Sequence, residues 1–431
     1  MTRHLSNRIP ELVTLAVLAA LVVGALLLDG GGGSSPSRRG DDNTVTPARI
    51  ALIERRVEAL RDLRFRHPVP VAVVSPAQAR REGLAEYDRS QPLAQRRENE
   101  ELLKLLGLLP PGTDLREITA SVFGEQVAGY YDPRRKRLAL VRGAGVDDVT
   151  LAHELTHALE DQHADLAKLG TGGGADASTA QQALVEGTAT LVMERYAARW
   201  PSRAPLGDAL AGLTQVTGAT PLPAYTARTL VFPYFQGERF VQELRDANGG
   251  GWGLVDVAEQ ARPPRTTAEI LDPDRWLRAQ QPVGVSLAAP SRAAVWRRLA
   301  GSTLGAEDLA ALLAPQSGPL AAREVTAGWR GGRYALWRRG PLVSPGCPAP
   351  CRTRDAVVLA VRMGSPRQAR TLLPPLALWL RETLHARPVS RDARGSLWRL
   401  PGGSFGAVHR NGLEVRAALA PDAALSEQLA P

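Results

Sequence analysis

His153, Glu154 and His157 form the pattern H-E-x-x-H within residues 151–159. Two residues four positions apart lie one above the other on a helix, separated by one turn of about 5.4 Å. Two imidazoles at that spacing can bind one tetrahedral zinc ion, and the neighbouring carboxylate can take a proton from a water that the metal activates. The pattern therefore predicts His153 and His157 as metal ligands and Glu154 as a catalytic base.

The flanking sequence predicts the helix that this pattern needs. Asp147 and Asp148 stand where an N-cap is expected. Apolar residues recur beyond them at helical spacing, namely Leu151, Leu155, Ala158, Leu159 and Leu166. The alternative interpretation is a surface helix with two solvated histidines.

Two histidines leave a zinc ion short of one protein ligand, and His163 is the first candidate for it. It matches the last histidine of the longer pattern H-E-x-x-H-x-x-G-x-x-H, in which a glycine ends the helix. Here Glu160 stands at the glycine position. If the helix continues, His163 points about 120° away from His157 and misses the metal.

Glu186 is the preferred third ligand. It lies in an apolar segment that is predicted to be a helix from Ser178 to about residue 200, and buried glutamates are rare unless they are paired or bound to metal. Gly187 removes a side chain where this second helix could approach the metal helix closely. Two histidines, this glutamate and a water complete a catalytic zinc site; a buried salt bridge to an arginine is the alternative.

A small sheet is predicted beside the metal helix. Residues 67–75 have the composition of a strand, and residues 127–131 and 137–141 are predicted to pair as a hairpin immediately before the helix. A sheet edge near a metal helix can hold an extended peptide by main-chain hydrogen bonds. The hairpin is either that edge or simple framework.

The C-terminal part, residues 283–431, is predicted to be a small α+β accessory domain. A helix is expected over 294–313 and an amphipathic helix over 366–384. Strands are expected at 334–337, 357–361, 396–400 and 405–419. Cys347 and Cys351 are the only cysteines, and in an oxidising compartment such a close pair forms a local disulfide.

The N-terminus predicts export. Arg3 and Arg8 precede an uncharged apolar run at 12–28, which is at the lower limit of a membrane-spanning helix. We expect residues 1–28 to be an uncleaved anchor with its N-terminus inside, a cleaved signal being the alternative. Residues 29–47 read as a flexible linker and 48–282 as the catalytic domain.

The formal charge of +9 does not indicate nucleic-acid binding. Three residues are lysines and the other basic residues are arginines scattered through an Ala-, Pro- and Gly-rich chain, with no basic stripe interleaved with aromatics. A GC-rich genome accounts for this composition, so no nucleic-acid partner is expected.

The chain resembles the gluzincin type of zinc metallopeptidase and, more narrowly, an uncharacterised family of exported bacterial peptidases. The stretches that carry the resemblance are residues 65–71, 124–133, 153–163, 184–187, 232–234 and 263–264. It covers roughly residues 48–280 and implies a zincin-like α+β domain, Zn²⁺ and hydrolysis of peptide bonds. Unlike thermolysin-like gluzincins, the chain has Thr190 four residues after Glu186, where an aspartate orients a zinc histidine. Glu194 and Asp165 are candidates for that role.

A peptidase mechanism also needs a donor that stabilises the oxyanion. Tyr234 and Tyr131 are the main candidates, with Tyr130 and Arg239 behind them. The sequence leaves two other functions open. One is a catalytically silent envelope binding protein with a structural zinc site, and the other is a hydrolase of a non-peptide amide.

Overall fold

The computed structural model describes residues 45–125, 127–169, 173–201, 222–291, 295–340, 347 and 349–431. The architecture is α+β, as predicted, with one three-stranded and one seven-stranded sheet. The predicted membrane segment at 12–28 and nearly all of the linker lie outside these residues. Within them, no helix is long and apolar enough to cross a membrane.

Residues 47–277 combine helices with a small mixed sheet. Its central strand, β3 (Arg137–Val141), pairs in parallel with β1 (Val71–Val74) and antiparallel with β2 (Gly129–Asp132). β2 and β3 are the predicted hairpin, whereas β1 is shorter than the predicted 67–75. The helices are α1 (Pro47–Arg61), α2 (Pro76–Ser90), α3 (Leu93–Leu105), α4 (Leu115–Glu125), α5 (Asp148–Ala164), α6 (Ala175–Arg199), α7 (Ala224–Ala247), α8 (Gly253–Gln260), α9 (Thr267–Leu271) and α10 (Pro273–Leu277).

Helix α5 carries the H-E-x-x-H pattern. Asp147 is its N-cap, as predicted, and accepts a hydrogen bond from the backbone N–H of Thr150 at 2.8 Å. Every residue from 149 to 161 is buried, because α5 packs against α1, α6 and β2. The alternative of a surface helix with solvated histidines is therefore wrong.

Helix α6 begins at Ala175, three residues before the predicted start at Ser178. Its first N–H groups are satisfied by hydroxyls of the C-terminal sheet. The N–H of Ala175 donates to Ser302 Oγ at 3.3 Å, and that of Asp176 donates to Thr303 Oγ1 at 3.1 Å. Free N–H groups at a helix start need acceptors, and these acceptors lie too far along the chain to give a local signal.

Helices α6 and α7 touch through glycine. A Cβ atom on Gly187 would lie 2.1 Å from the carbonyl carbon of Gly237, and one on Gly237 would lie 1.8 Å from the carbonyl oxygen of Ala183. The prediction that Gly187 allows α6 to approach the metal helix is thus wrong, since this glycine faces α7. Helix α7 continues through Pro233.

The seven-stranded sheet is antiparallel throughout, in the order β4-β5-β6-β10-β9-β8-β7. Helices α11 to α14 cover one face and α15 packs on the other. The strands are β4 (Trp296–Thr303), β5 (Trp329–Arg339), β6 (Asp355–Met363), β7 (Arg387–Arg391), β8 (Gly395–Arg399), β9 (Phe405–Asn411) and β10 (Glu414–Ala420). The helices are α11 (Ala306–Ser317), α12 (Pro319–Thr326), α13 (Pro366–Thr371), α14 (Leu373–Glu382) and α15 (Ala423–Leu429).

Two helix predictions in this part are corrected. The segment 294–313, predicted as one helix, contains strand β4 and the start of α11. A bulge between Arg298 and Ala300 breaks the alternation that would have marked the strand. The segment 366–384, predicted as one helix, forms α13 and α14, which meet at Leu372.

The core of the seven-stranded sheet also takes residues from the first part of the chain. Apolar side chains at 102–109, from the end of α3 and the loop after it, pack in that core. The carbonyl oxygen of Leu106 accepts a hydrogen bond from Trp379 Nε1 at 3.0 Å, and Glu101 Oε1 accepts one from the N–H of Cys351 at 2.6 Å. A disulfide joins Cys347 to Cys351. The core of the seven-stranded sheet thus contains residues from both sides of the predicted domain boundary at residue 283.

The glycine contact gives a prediction about stability. In the interior of an exposed helix, replacing glycine with alanine stabilises by about 1 kcal/mol. For Gly237→Ala we expect the opposite, a loss of about 1–3 kcal/mol or more in the free energy of unfolding, because the new methyl group overlaps the backbone of α6. Chemical denaturation measures this. Gly112→Ala is the control, since no atom lies within 4 Å of its new Cβ, and equal stability of the two variants would contradict the packing argument.

Candidate metal centre

Three donor atoms from α5 and α6 converge at one point. Nε2 of His153 and Nε2 of His157 are 3.1 Å apart, and Oε2 of Glu186 lies 3.4 Å from each. Donors at about 2.0–2.2 Å from a tetrahedral zinc ion are separated by roughly 3.3–3.6 Å. The spacing of the three atoms therefore fits a single ion, and these side chains form the one group of this kind in the described part of the chain.

The electrostatics of the three side chains favour positive charge between them. All three are buried, and Glu186 Oε2 has no hydrogen-bond partner among the described residues. Burial alone would raise the pKa of Glu186, but His157 and His153 outweigh it and lower that pKa to about 2. Burial lowers the pKa of His153. Burial acts in the same direction on His157, yet Glu186 and Glu160 raise its pKa well above the usual value.

Glu154 is held beside this group by the sheet. Its Oε2 accepts a hydrogen bond from the backbone N–H of Tyr131 in β2 at 2.7 Å, while its Oε1 is buried without a partner in the described residues. Burial raises the pKa of Glu154 to about 8, although His157 and the hydrogen bond from Tyr131 oppose the shift. One oxygen is thus fixed and the other can accept a proton.

A buried ionic cluster lies behind His157. Oε2 of Glu160 is 3.8 Å from Nδ1 of His157, and Oε1 of Glu160 is 3.9 Å from Nε of Arg61. Nη2 of Arg61 contacts Asp256 at 2.7 Å and Glu259 at 2.9 Å. Burial raises the pKa of Glu160 and raises that of Glu259 to about 8, with Arg61 opposing both shifts.

The two main tyrosine candidates occupy different positions. The hydroxyl of Tyr131 donates to Asp161 Oδ2 at 2.6 Å, so this residue contacts the site through its backbone N–H, which donates to Glu154. Tyr234 is fully buried on α7, with its ring centre 6.2 Å from that of His153. Its hydroxyl makes no hydrogen bond of standard geometry within the described residues, and burial together with Glu186 and Glu154 raises its pKa.

The remaining candidates lie away from the three donors. His163 Nε2 contacts the carbonyl oxygen of Arg64 at 2.9 Å, in agreement with its expected rotation away from the metal. Tyr130 donates to Glu82 at 2.6 Å, and Arg239 pairs with Glu243 at 2.7 Å.

Neither predicted orienting carboxylate stands beside a ligand histidine in the described structure. Asp165 caps α5 and pairs with Lys136 and Lys168. Burial and Glu238 raise the pKa of Glu194 to about 7, and no contact joins it to the histidines. Glu160 occupies the place beside His157 instead.

Sequence reasoning missed Glu160 and Arg61. A signal for Glu160 was present, because positions 153, 157 and 160 follow the i, i+4, i+7 spacing of one helix face. Nothing local marks Arg61, which lies about 100 residues before Glu160 and almost 200 before Glu259.

Comparison with known proteins gives one match. A family model described as "Domain of unknown function (DUF8575)" matches residues 293–430, which is the seven-stranded sheet with its helices. No curated protein and no solved structure matches the chain.

The geometry predicts one metal site with three protein ligands. We expect the chain to bind one zinc or cobalt ion, and we expect Glu186→Gln to weaken binding by more than about 100-fold, because even partners outside the ligand set change affinity by 10–100-fold. Competition with a chromophoric chelator measures the affinity. His163→Ala is the matched control and should bind as the parent does. Loss of affinity in His163→Ala with none in Glu186→Gln would contradict this ligand set.

Proposed function

We propose that the protein is a zinc-dependent peptidase with a zincin-like catalytic domain. The observation that carries the proposal is the convergence of His153, His157 and Glu186 beside a carboxylate with one unpartnered oxygen, that of Glu154. A small sheet, a helix with both histidines and a second helix with the glutamate are the parts that the resemblance to gluzincins implies.

The donor set supports zinc in a catalytic role. Two imidazoles and one carboxylate suit Zn²⁺, and catalytic zinc sites keep a position open that structural sites fill with a fourth protein ligand. No fourth His, Cys, Asp or Glu joins the three in the part of the chain that is described. When bound, zinc supplies a Lewis acid that polarises a carbonyl group and lowers the pKa of a water molecule.

Glu154 is assigned the proton transfers. Its Oε2 is fixed by the N–H of Tyr131, which leaves Oε1 to take a proton from the attacking water and to pass it to the leaving amine. A carboxylate with a raised pKa is suited to both steps, because a general base and acid works best when its pKa is close to the working pH.

The peptide and the oxyanion have candidate partners on β2 and α7. The N–H of Tyr131 donates to Glu154 and not to β3, so it points to the outer edge of β2. That edge is assigned to an extended substrate. The buried hydroxyl of Tyr234 is assigned to the oxyanion, since it is the unpartnered donor whose ring lies against His153.

The site of action is proposed from the N-terminal sequence. An uncharged run at 12–28 after two arginines would anchor the chain in the cytoplasmic membrane and place the catalytic domain outside it. The disulfide between Cys347 and Cys351 is consistent with an oxidising compartment.

The test compares the full chain with Glu154→Gln on a diverse peptide mixture, with products read by mass spectrometry. We expect the parent to cleave and the variant to be slower by about 10²–10⁴-fold, because general acid–base catalysis contributes that much. The zinc content of both should be equal, since Glu154 is not a ligand.

Three results would count against the proposal. Equal cleavage by both proteins would remove Glu154 from the mechanism. Failure of both to cleave any peptide, with one zinc bound to each, would favour a structural site in a binding protein. A hydrolase of non-peptide amides would show Glu154-dependent release from cell-wall amides in place of peptides.

A further inference from the structure

We infer that Glu160 is a positioning residue for His157, and that Arg61 at the end of α1 holds Glu160 in place. The inference rests on the proposed metal site, because orienting His157 matters only if its Nε2 binds an ion. It concerns Glu160 and Arg61, which are neither among the three proposed ligands nor the proposed base.

Glu160 is placed to act on the far side of the His157 ring. It lies one turn after His157 on α5, and its Oε2 is the carboxylate oxygen 3.8 Å from Nδ1. Nδ1 of His157 and both oxygens of Glu160 are buried and have no hydrogen-bond partner of standard geometry in the described residues. A ring nitrogen that can donate and a carboxylate oxygen that can accept, both buried, unpartnered and 3.8 Å apart, are complementary.

The direction of such a bond fixes which nitrogen faces the metal. A neutral imidazole carries its proton on one ring nitrogen and a lone pair on the other. If Nδ1–H donates to Glu160, the lone pair is on Nε2, which is the atom 3.4 Å from Glu186. Ligand histidines generally donate their second ring N–H to a carboxylate, which sets the ring's orientation and tautomer.

Arg61 restrains Glu160 from the other side. Its side chain is completely buried, and its guanidinium contacts Asp256, Glu259 and Glu160. The group also lies over the ring of Trp252, with its carbon 4.4 Å from the ring centre. Hydrogen bonds from Nη2 to Asp256 and Glu259 and the aromatic face fix the planar guanidinium, and its Nε then lies 3.9 Å from Glu160 Oε1, where its charge attracts the carboxylate.

The experiment measures metal binding by Glu160→Met and Glu160→Gln in the full chain. We expect Glu160→Met to lose about 10–100-fold in zinc affinity, as is typical when the carboxylate partner of a ligand histidine is removed. The visible spectrum of the cobalt-substituted variant should also differ from that of the parent. Glu160→Gln keeps an oxygen that accepts a hydrogen bond, so its loss should be smaller.

Glu269→Gln is the matched control. Glu269 is a buried carboxylate too, but it accepts hydrogen bonds from the N–H groups of Arg265 and Thr266 at the start of α9. We expect this variant to melt at a lower temperature and to keep the parent's zinc affinity and cobalt spectrum. A loss of zinc affinity in the Glu160 variants but not in Glu269→Gln would show that Glu160 positions His157, and that the loss does not come from general destabilisation.

The inference is overturned if the Glu160 variants fold and bind zinc with the parent's affinity and cobalt spectrum. If Glu160→Met does not fold, Glu160→Gln decides alone. If the parent cleaves peptides and the Glu160 variants bind zinc as tightly as the parent, this inference fails and the proposed function stands. If zinc affinity depends on Glu160 but no peptide is cleaved, the proposed peptidase fails and this inference stands. If the parent binds no metal, both fail.

Discussion

The structure depends on one electrostatic constraint: two imidazole nitrogens and a carboxylate oxygen converge in a buried space. Nε2 of His153, Nε2 of His157 and Oε2 of Glu186 lie within 3.4 Å of each other. In a low-dielectric interior, positive charge between these atoms stabilises the arrangement. Much of the surrounding structure keeps these atoms in place.

Each neighbouring element contributes to that task. Helix α5 is buried from residue 149 to 161, so its histidines have few alternative rotamers. Helix α6 is fixed at its start by hydroxyls of Ser302 and Thr303 and along its length by the contact of Gly187 with Gly237. Strand β2 holds Glu154 through the N–H of Tyr131. The candidate metal centre is therefore built from helices and a strand rather than loops, as accurate positioning requires.

The sequence predicted the parts of the site that depend on local spacing. His153 and His157 follow from the helical period, and Glu186 follows from the cost of a glutamate in an apolar helix. Glu160 shares one helix face with the two histidines and was missed although that spacing is local, whereas Arg61 was missed because its contact with Glu160 joins positions about 100 residues apart. The start of α6 was misplaced for the same reason, since its N–H groups find their acceptors in β4. Strand β4 was mistaken for a helix because a bulge interrupts its alternation, and pairing with β5 decides its structure.

The packing of residues 102–109 in the core of the seven-stranded sheet bears on how the chain is made. The polypeptide leaves the first part, contributes to the core of the seven-stranded sheet, and returns to form α5 and α6 before that sheet has been synthesised. The leucines at 102–109 therefore have no packing partners until Trp379 and its neighbours have been synthesised. Domains that close in sequence fold as they are made, whereas here the last third of the chain completes the first. During synthesis this apolar segment therefore stays without its packing partners until the last third of the chain has been made.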